Sequence, residues 1–115
     1  LTDEQASQFA SEWIAAWNSK DLDRVLAHYA KNVIFRSPNA QRIIGTGTVT
    51  GKDALAAYWR AALPLAPDLH FTLVLLLKGH EALTILYDNE RGRRVAEIFV
   101  FGPDGQITES LACYA

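Results

Sequence analysis

The sequence holds one cysteine, Cys113, and no methionine among its 115 residues. A single thiol excludes an internal disulfide framework and suits a reducing compartment, so a cytoplasmic location is expected. The chain opens at Leu1 without Met, so an initiator and a few further residues are expected to have preceded it. No signal-peptide pattern is visible. No apolar run approaches the roughly 18–20 residues that cross a bilayer. The longest aliphatic run, Leu73-Val74-Leu75-Leu76-Leu77, has the length of a buried strand and is apolar on both alternating faces, so one face can fill a core while the other is expected to be exposed unless a second copy covers it. Charge of one sign is also lacking: 11 Lys and Arg stand against 13 Asp and Glu. The basic residues are scattered, whereas a binder of phosphate backbone needs a basic face, so no nucleic-acid partner is expected. His28, His70, His80 and Cys113 share no metal-ligand spacing, and neither a metal nor another cofactor is expected. No Ser or Cys sits in a nucleophile-elbow motif. The segment Gly45-Thr46-Gly47-Thr48-Val49-Thr50-Gly51-Lys52 imitates a phosphate loop, but a Walker pattern needs Gly at 46 and Ser or Thr at 53, where Thr46 and Asp53 stand.

What is present is a globular composition, half hydrophobic and 21% charged, of a length that suits one domain over residues 1–115. Thr2 and Gln5 form a capping-box pair, after which Phe9, Trp13 and Trp17 recur every four residues and predict a helix with an aromatic stripe. Asp21 predicts the cap of a second helix, with Leu22, Val25, Leu26 and Tyr29 on its apolar face. Val33-Ile34-Phe35 reads as a strand stopped by Pro38. Residues 38–51 read as loop, with a short strand at Thr48-Val49. Gly51 precedes a third helix that buries Leu55, Tyr58, Trp59 and Ala62 and ends at Pro64 and Pro67. Four strands follow, at about 69–78, 81–89, 93–101 and 106–114, separated by Gly79-His80, Arg91-Gly92 and Pro103-Asp104-Gly105, all hairpin chemistry. Helices first and a meander last predict an α+β domain: a curved, mostly antiparallel sheet, with three helices on its concave face, forming a cone open at one end.

The residue with chemistry is Glu97. Period-two alternation places it on one face with Val95, Phe99 and Phe101. A carboxyl among apolar side chains is costly to ionise, so its pKa should rise. Alternatively Glu97 faces outward or pairs with Arg93 or Arg94. If Asn89 pairs with Arg93 across the Gly92 turn, Ile85 lies opposite Glu97 and Tyr87 comes next on the same side. Three Trp and four Tyr are more than packing needs in so small a domain. Several are therefore expected to line a cavity, as in most small-molecule sites. His28 reads as a boundary residue beside the second helix.

Trp13-Ile14-Ala15-Ala16-Trp17-Asn18, Asp21-Leu22-Asp23, His28-Tyr29-Ala30, Phe35-Arg36-Ser37-Pro38, Gly51-Lys52-Asp53-Ala54-Leu55 and Phe99-Val100-Phe101 before Asp104-Gly105 resemble SnoaL-like proteins of the nuclear-transport-factor-two-like superfamily. The resemblance covers nearly the whole chain. It implies the cone fold and a homodimer paired through the outer sheet face. It does not name a reaction, because the superfamily includes isomerases, cyclases, hydrolases, dehydratases and binding domains. Laid over the ketosteroid isomerase pattern, the oxyanion-donor tyrosine falls on Trp13, the general-base aspartate on Ser37 and the protonated aspartic acid on Glu97. Only Glu97 keeps its chemistry. The same overlay turns Ser110, Ala112 and Tyr114 toward the pocket.

The expected function is thus a pocket for a small apolar or aromatic molecule. It would be an acid–base enzyme of isomerase, cyclase or hydratase type acting through Glu97, or a non-catalytic binding or dimerisation domain. The expected lining is Trp13, Trp17, Tyr29, Ser37, Tyr58, Trp59, Tyr87, Phe99, Ser110 and Tyr114.

Overall fold

A computed structural model describes all residues 1–115. Helix α1 spans Asp3–Asn18, and its capping box is formed: Gln5 N donates to Thr2 Oγ1 at 3.0 Å and Thr2 N donates to Gln5 Oε1 at 2.9 Å. Its buried face carries Ala6, Ala10, Trp13, Ala16 and Trp17. The small alanines let the helix sit close to the sheet, while the two indoles reach inward.

Helix α2 covers only Leu22–Leu26, capped by Asp21. Tyr29 is not on it, contrary to the sequence reading. It opens strand β1, Tyr29–Arg36, whose burial marks Tyr29, Val33 and Phe35 as core. The spacing from Val25 to Tyr29 fits a helix, but Tyr29 pairs with Ile107 in the sheet, and that tertiary pairing overrides the local period.

The 38–51 segment is also more ordered than expected. Pro38 stops β1 and at the same time occupies the first turn of helix α3, Pro38–Ile44, with Ser37 as N-cap and Gly45 in the left-handed conformation at its end. Strand β2 is Thr48–Thr50 and helix α4 is Lys52–Ala62, followed by a 3-10 turn at Leu63–Leu65.

The four late strands form as a meander: β3 Thr72–Gly79, β4 Ala82–Asp88, β5 Arg94–Phe101 and β6 Ile107–Tyr114. All six strands make one sheet in the order β2-β1-β6-β5-β4-β3. Every pairing is antiparallel except β1 with β6, which run parallel with Phe35 opposite Ser110. That parallel contact brings the ends of β1 and β6 together beside the hairpin that joins β4 to β5. Residues 37–42, 89–93 and 114, distant in sequence, thus gather at one end of the cone.

The core is one cluster of 23 buried residues between the helices and the inner sheet face. The aliphatic run of β3 has the length of a buried strand but leaves one face open. As an edge strand it leaves Leu73, Val74, Leu75 and Leu77 between 37% and 57% exposed. Only Leu76 packs partly against the core. No helix is long and apolar enough to cross a membrane.

Candidate functional site

Glu97 lies in the middle of β5, opposite Ile85 of β4 and Ala112 of β6. Asn89 N donates to Arg93 O at 2.9 Å, the hairpin register that places Ile85 there. The strand alternates with Val95, Glu97 and Phe99 inward, and Glu97 is 4% exposed. Neither Arg93 nor Arg94 pairs with it. Arg94 instead bonds Asp88 at 3.0 Å on the outside, and Arg93 lies over the Tyr114 ring, 5.0 Å from its centroid.

Two hydroxyls reach the Glu97 carboxylate. Tyr87 Oη donates to Oε1 at 3.3 Å, and Ser110 Oγ donates to Oε2 at 3.4 Å. Burial raises the Glu97 pKa to about 7, the two hydrogen bonds acting in the opposite direction. The group therefore changes charge near neutrality, where a proton-transfer residue is most useful.

A second layer supports this one. Trp13 Nε1 donates to Tyr29 Oη at 3.1 Å, and Ser110 stands beside that same hydroxyl. Because an indole N–H only donates, it orients the Tyr29 oxygen as an acceptor. Burial raises the Tyr29 and Tyr87 pKa values far above neutrality, with the Glu97 charge adding to the shift, so both stay protonated.

A second polar cluster lies at Ser37. Its Oγ accepts from Asn39 N at 3.2 Å and stands close to the hydroxyls of Tyr58 and Tyr114, whose pKa values burial also raises. Asn39 Nδ2 donates to Tyr114 Oη at 2.8 Å.

Between these groups is a cavity of about 180 Å³. Of the residues expected to line it, Trp13, Trp17, Ser37, Tyr58, Trp59, Tyr87, Glu97 and Tyr114 do so. Tyr29, Phe99 and Ser110 do not: each is at most 1% exposed and lies behind the wall, Ser110 acting through Glu97. Ala112 lines the cavity, as the overlay implied. Sequence reading missed Phe71, which stacks on Trp13 at 5.7 Å and whose N–H is accepted by Asn18 Oδ1 at 2.8 Å. It also missed Asn39, Arg42, Arg91 and Arg93 at the mouth. The first two sit on a helix read as loop, and the others in a turn whose position over the cavity depends on the sheet's curl. The Trp17 indole N–H is buried without a partner, an unmet donor on a cavity-lining residue. His28 is a boundary residue, edge-on to Phe9 at 5.2 Å and 3.7 Å from Glu12. No three His, Cys, Asp or Glu side chains converge as a metal-binding group.

A curled six-strand sheet closed by helices is the fold of solved nuclear-transport-factor-two-like proteins. Within it, the chain belongs to the SnoaL-like domain family, whose model matches residues 10–110. A SnoaL-like protein of unknown function from Burkholderia thailandensis is 44% identical, with a TM-score of 0.93 over 100% of this chain and 98% of that one. An NTF2-like protein of unknown function from Burkholderia pseudomallei is 20% identical, with a TM-score of 0.78 over 96% and 90% of the two chains. A provisionally assigned isomerase of the SnoaL-like family from Agrobacterium tumefaciens is 18% identical, with a TM-score of 0.77 over 97% and 98%. These last two likenesses concern the fold alone. No curated protein matches the chain.

Proposed function

We propose that this protein binds a small apolar or aromatic molecule in its cone and moves a proton on it through Glu97, without a cofactor. The observation that carries this reading is a fully enclosed carboxyl, titrating at about 7, beside an aromatic-walled cavity. Above that pH Glu97 is a carboxylate and can take a proton from carbon or oxygen. Having taken it, the same group can return it at a second atom, so one carboxyl suffices for isomerisation or tautomerisation. The Ser37, Tyr58 and Tyr114 hydroxyls supply donors for negative charge developing on a substrate oxygen. Relative to the isomerase pattern, the base and the oxygen-binding donors have exchanged positions: the hydroxyls stand at 37 and the carboxylate at 97.

The test is deuterium exchange at the carbon next to the carbonyl of small aryl ketones in D2O, followed by NMR. Wild type should catalyse exchange and Glu97→Gln should not. Ketones that bind without exchange in wild type would favour the binding-domain reading.

We also propose that two copies pair through the outer sheet face. Leu75 and Leu77 stand there across from Leu86 and Thr84, with Ile98 on the next strand, and form an apolar strip that no helix of this chain covers. Exposed apolar patches of this kind mark contacts.

A further inference from the structure

The cavity is not apolar throughout. Its floor carries Glu97, and its mouth carries Arg42, Arg91 and Arg93 against a single carboxylate, Glu90. In a chain of net charge -2, three of seven arginines line one opening. Arg91 lies 4.0 Å from Glu90, so those two charges offset each other. Arg24, Arg36 and Arg94 hold carboxylate partners elsewhere on the surface. Neither Arg42 nor Arg93 pairs with an Asp or Glu side chain.

These two guanidinium groups are held in one connected arc. Arg42 Nη2 donates to Asn39 Oδ1 at 3.3 Å, and Asn39 Nδ2 donates to Tyr114 Oη at 2.8 Å. The Tyr114 ring lies under the Arg93 guanidinium, whose Nε donates to the main-chain oxygen of Ala115 at 2.8 Å. Each guanidinium keeps further N–H groups uncommitted. Stacking on an aromatic ring and an amide anchor fix planar groups in place and reduce the ordering cost of binding.

Building on the pocket reading above, we infer that the molecule this cone takes is an organic acid: an aromatic or apolar body enters between the indoles, and its carboxylate stays at the mouth between Arg42 and Arg93. The opposite orientation is unfavourable, because it would bring the anion to Glu97, which is itself charged above about pH 7. The cavity of about 180 Å³ bounds the body. A dry cavity of about 150 Å³ accepts benzene, so one ring or two fused rings fit here.

Trp13, Trp17 and Trp59 all line the cavity, so intrinsic fluorescence reports occupancy. The probes are benzoate and 2-naphthoate, set against benzamide and 2-naphthamide, which keep shape and lose charge. The acids should bind at least tenfold more tightly than their amides, and added salt should erode the difference. Arg42→Gln and Arg93→Gln should each weaken acid binding about tenfold and leave amide binding unchanged. Both side chains are exposed, so neither substitution threatens the fold. Amides that bind as tightly as acids would overturn the inference while leaving the pocket reading intact. If neither acids nor amides bind to wild type, both readings fail. Equal acid binding by wild type and the double variant would place the anion elsewhere and overturn the inference.

Discussion

At Glu97, one side chain links burial, stability and chemistry. Its carboxyl titrates at about 7 in the folded protein against an ordinary 4.5. The folded state therefore holds this proton over a range in which the unfolded chain releases it. The group's contribution to stability is fully present below about pH 4.5 and is lost as pH rises through about 7. Over that window wild type should lose about 3 kcal/mol relative to Glu97→Gln, which stays neutral throughout. Urea unfolding of the two proteins at pH 4.5, 6 and 8 checks this. A constant difference between them would mean that the carboxyl is hydrated. Activity should follow the opposite limb, rising through pH 7 as the base form appears. The protein would thus carry a destabilising charge under the same conditions in which that charge does its chemistry.

Among the elements, α3 shows how one residue serves structure and site together. Ser37 caps the helix by accepting from Asn39 N, and it also stands between the Tyr58 and Tyr114 hydroxyls. Ser37→Ala should cost about 1 kcal/mol of stability, the usual value of a lost cap, seen as a lowered urea midpoint. It should also lower the exchange rate beyond what that loss explains, whereas Ser37→Thr should restore the cap. Most elements were legible because they are locally specified: Thr2 and Gln5 cap α1, and Gly92 and Gly105 supply the positive φ that their hairpin turns need. Tyr29 and α3 were not. Tyr29 has helical spacing to Val25 but a partner in the sheet, and Pro38 both ends a strand and begins a helix, two meanings that one sequence position does not separate.

At the scale of the whole molecule, β3 leaves an apolar strip open on the outer sheet face. Its outer face adds Leu75 and Leu77 to Leu86 and Ile98, and a second copy would cover that strip. Light scattering at micromolar concentration should give twice the chain mass. Leu75→Lys combined with Leu77→Lys should give a monomer with an unchanged circular dichroism spectrum, because these positions are exposed and contribute nothing to the inner core. A wild-type monomer would leave the strip without this explanation.

Alternation alone determined that Glu97 shares a face with Val95 and Phe99, and the Asn89–Arg93 turn set Ile85 opposite it. Periods of two and of about 3.6 are local properties, written in consecutive residues. The α+β order and the aromatic stripe of α1 follow for the same reason. Only the tertiary structure decided what the carboxyl faces. The parallel pairing of β1 with β6, far apart in the chain, brings Ser37 and Asn39 to Tyr114, and the curl of the sheet carries Arg91 and Arg93 over the same opening. It also decided that Ser110 lies behind the wall while Tyr87 lines it, although both bond Glu97. Pairing between distant strands and the depth of a curved sheet arise from the packing of the whole chain, and no stretch of consecutive residues encodes them.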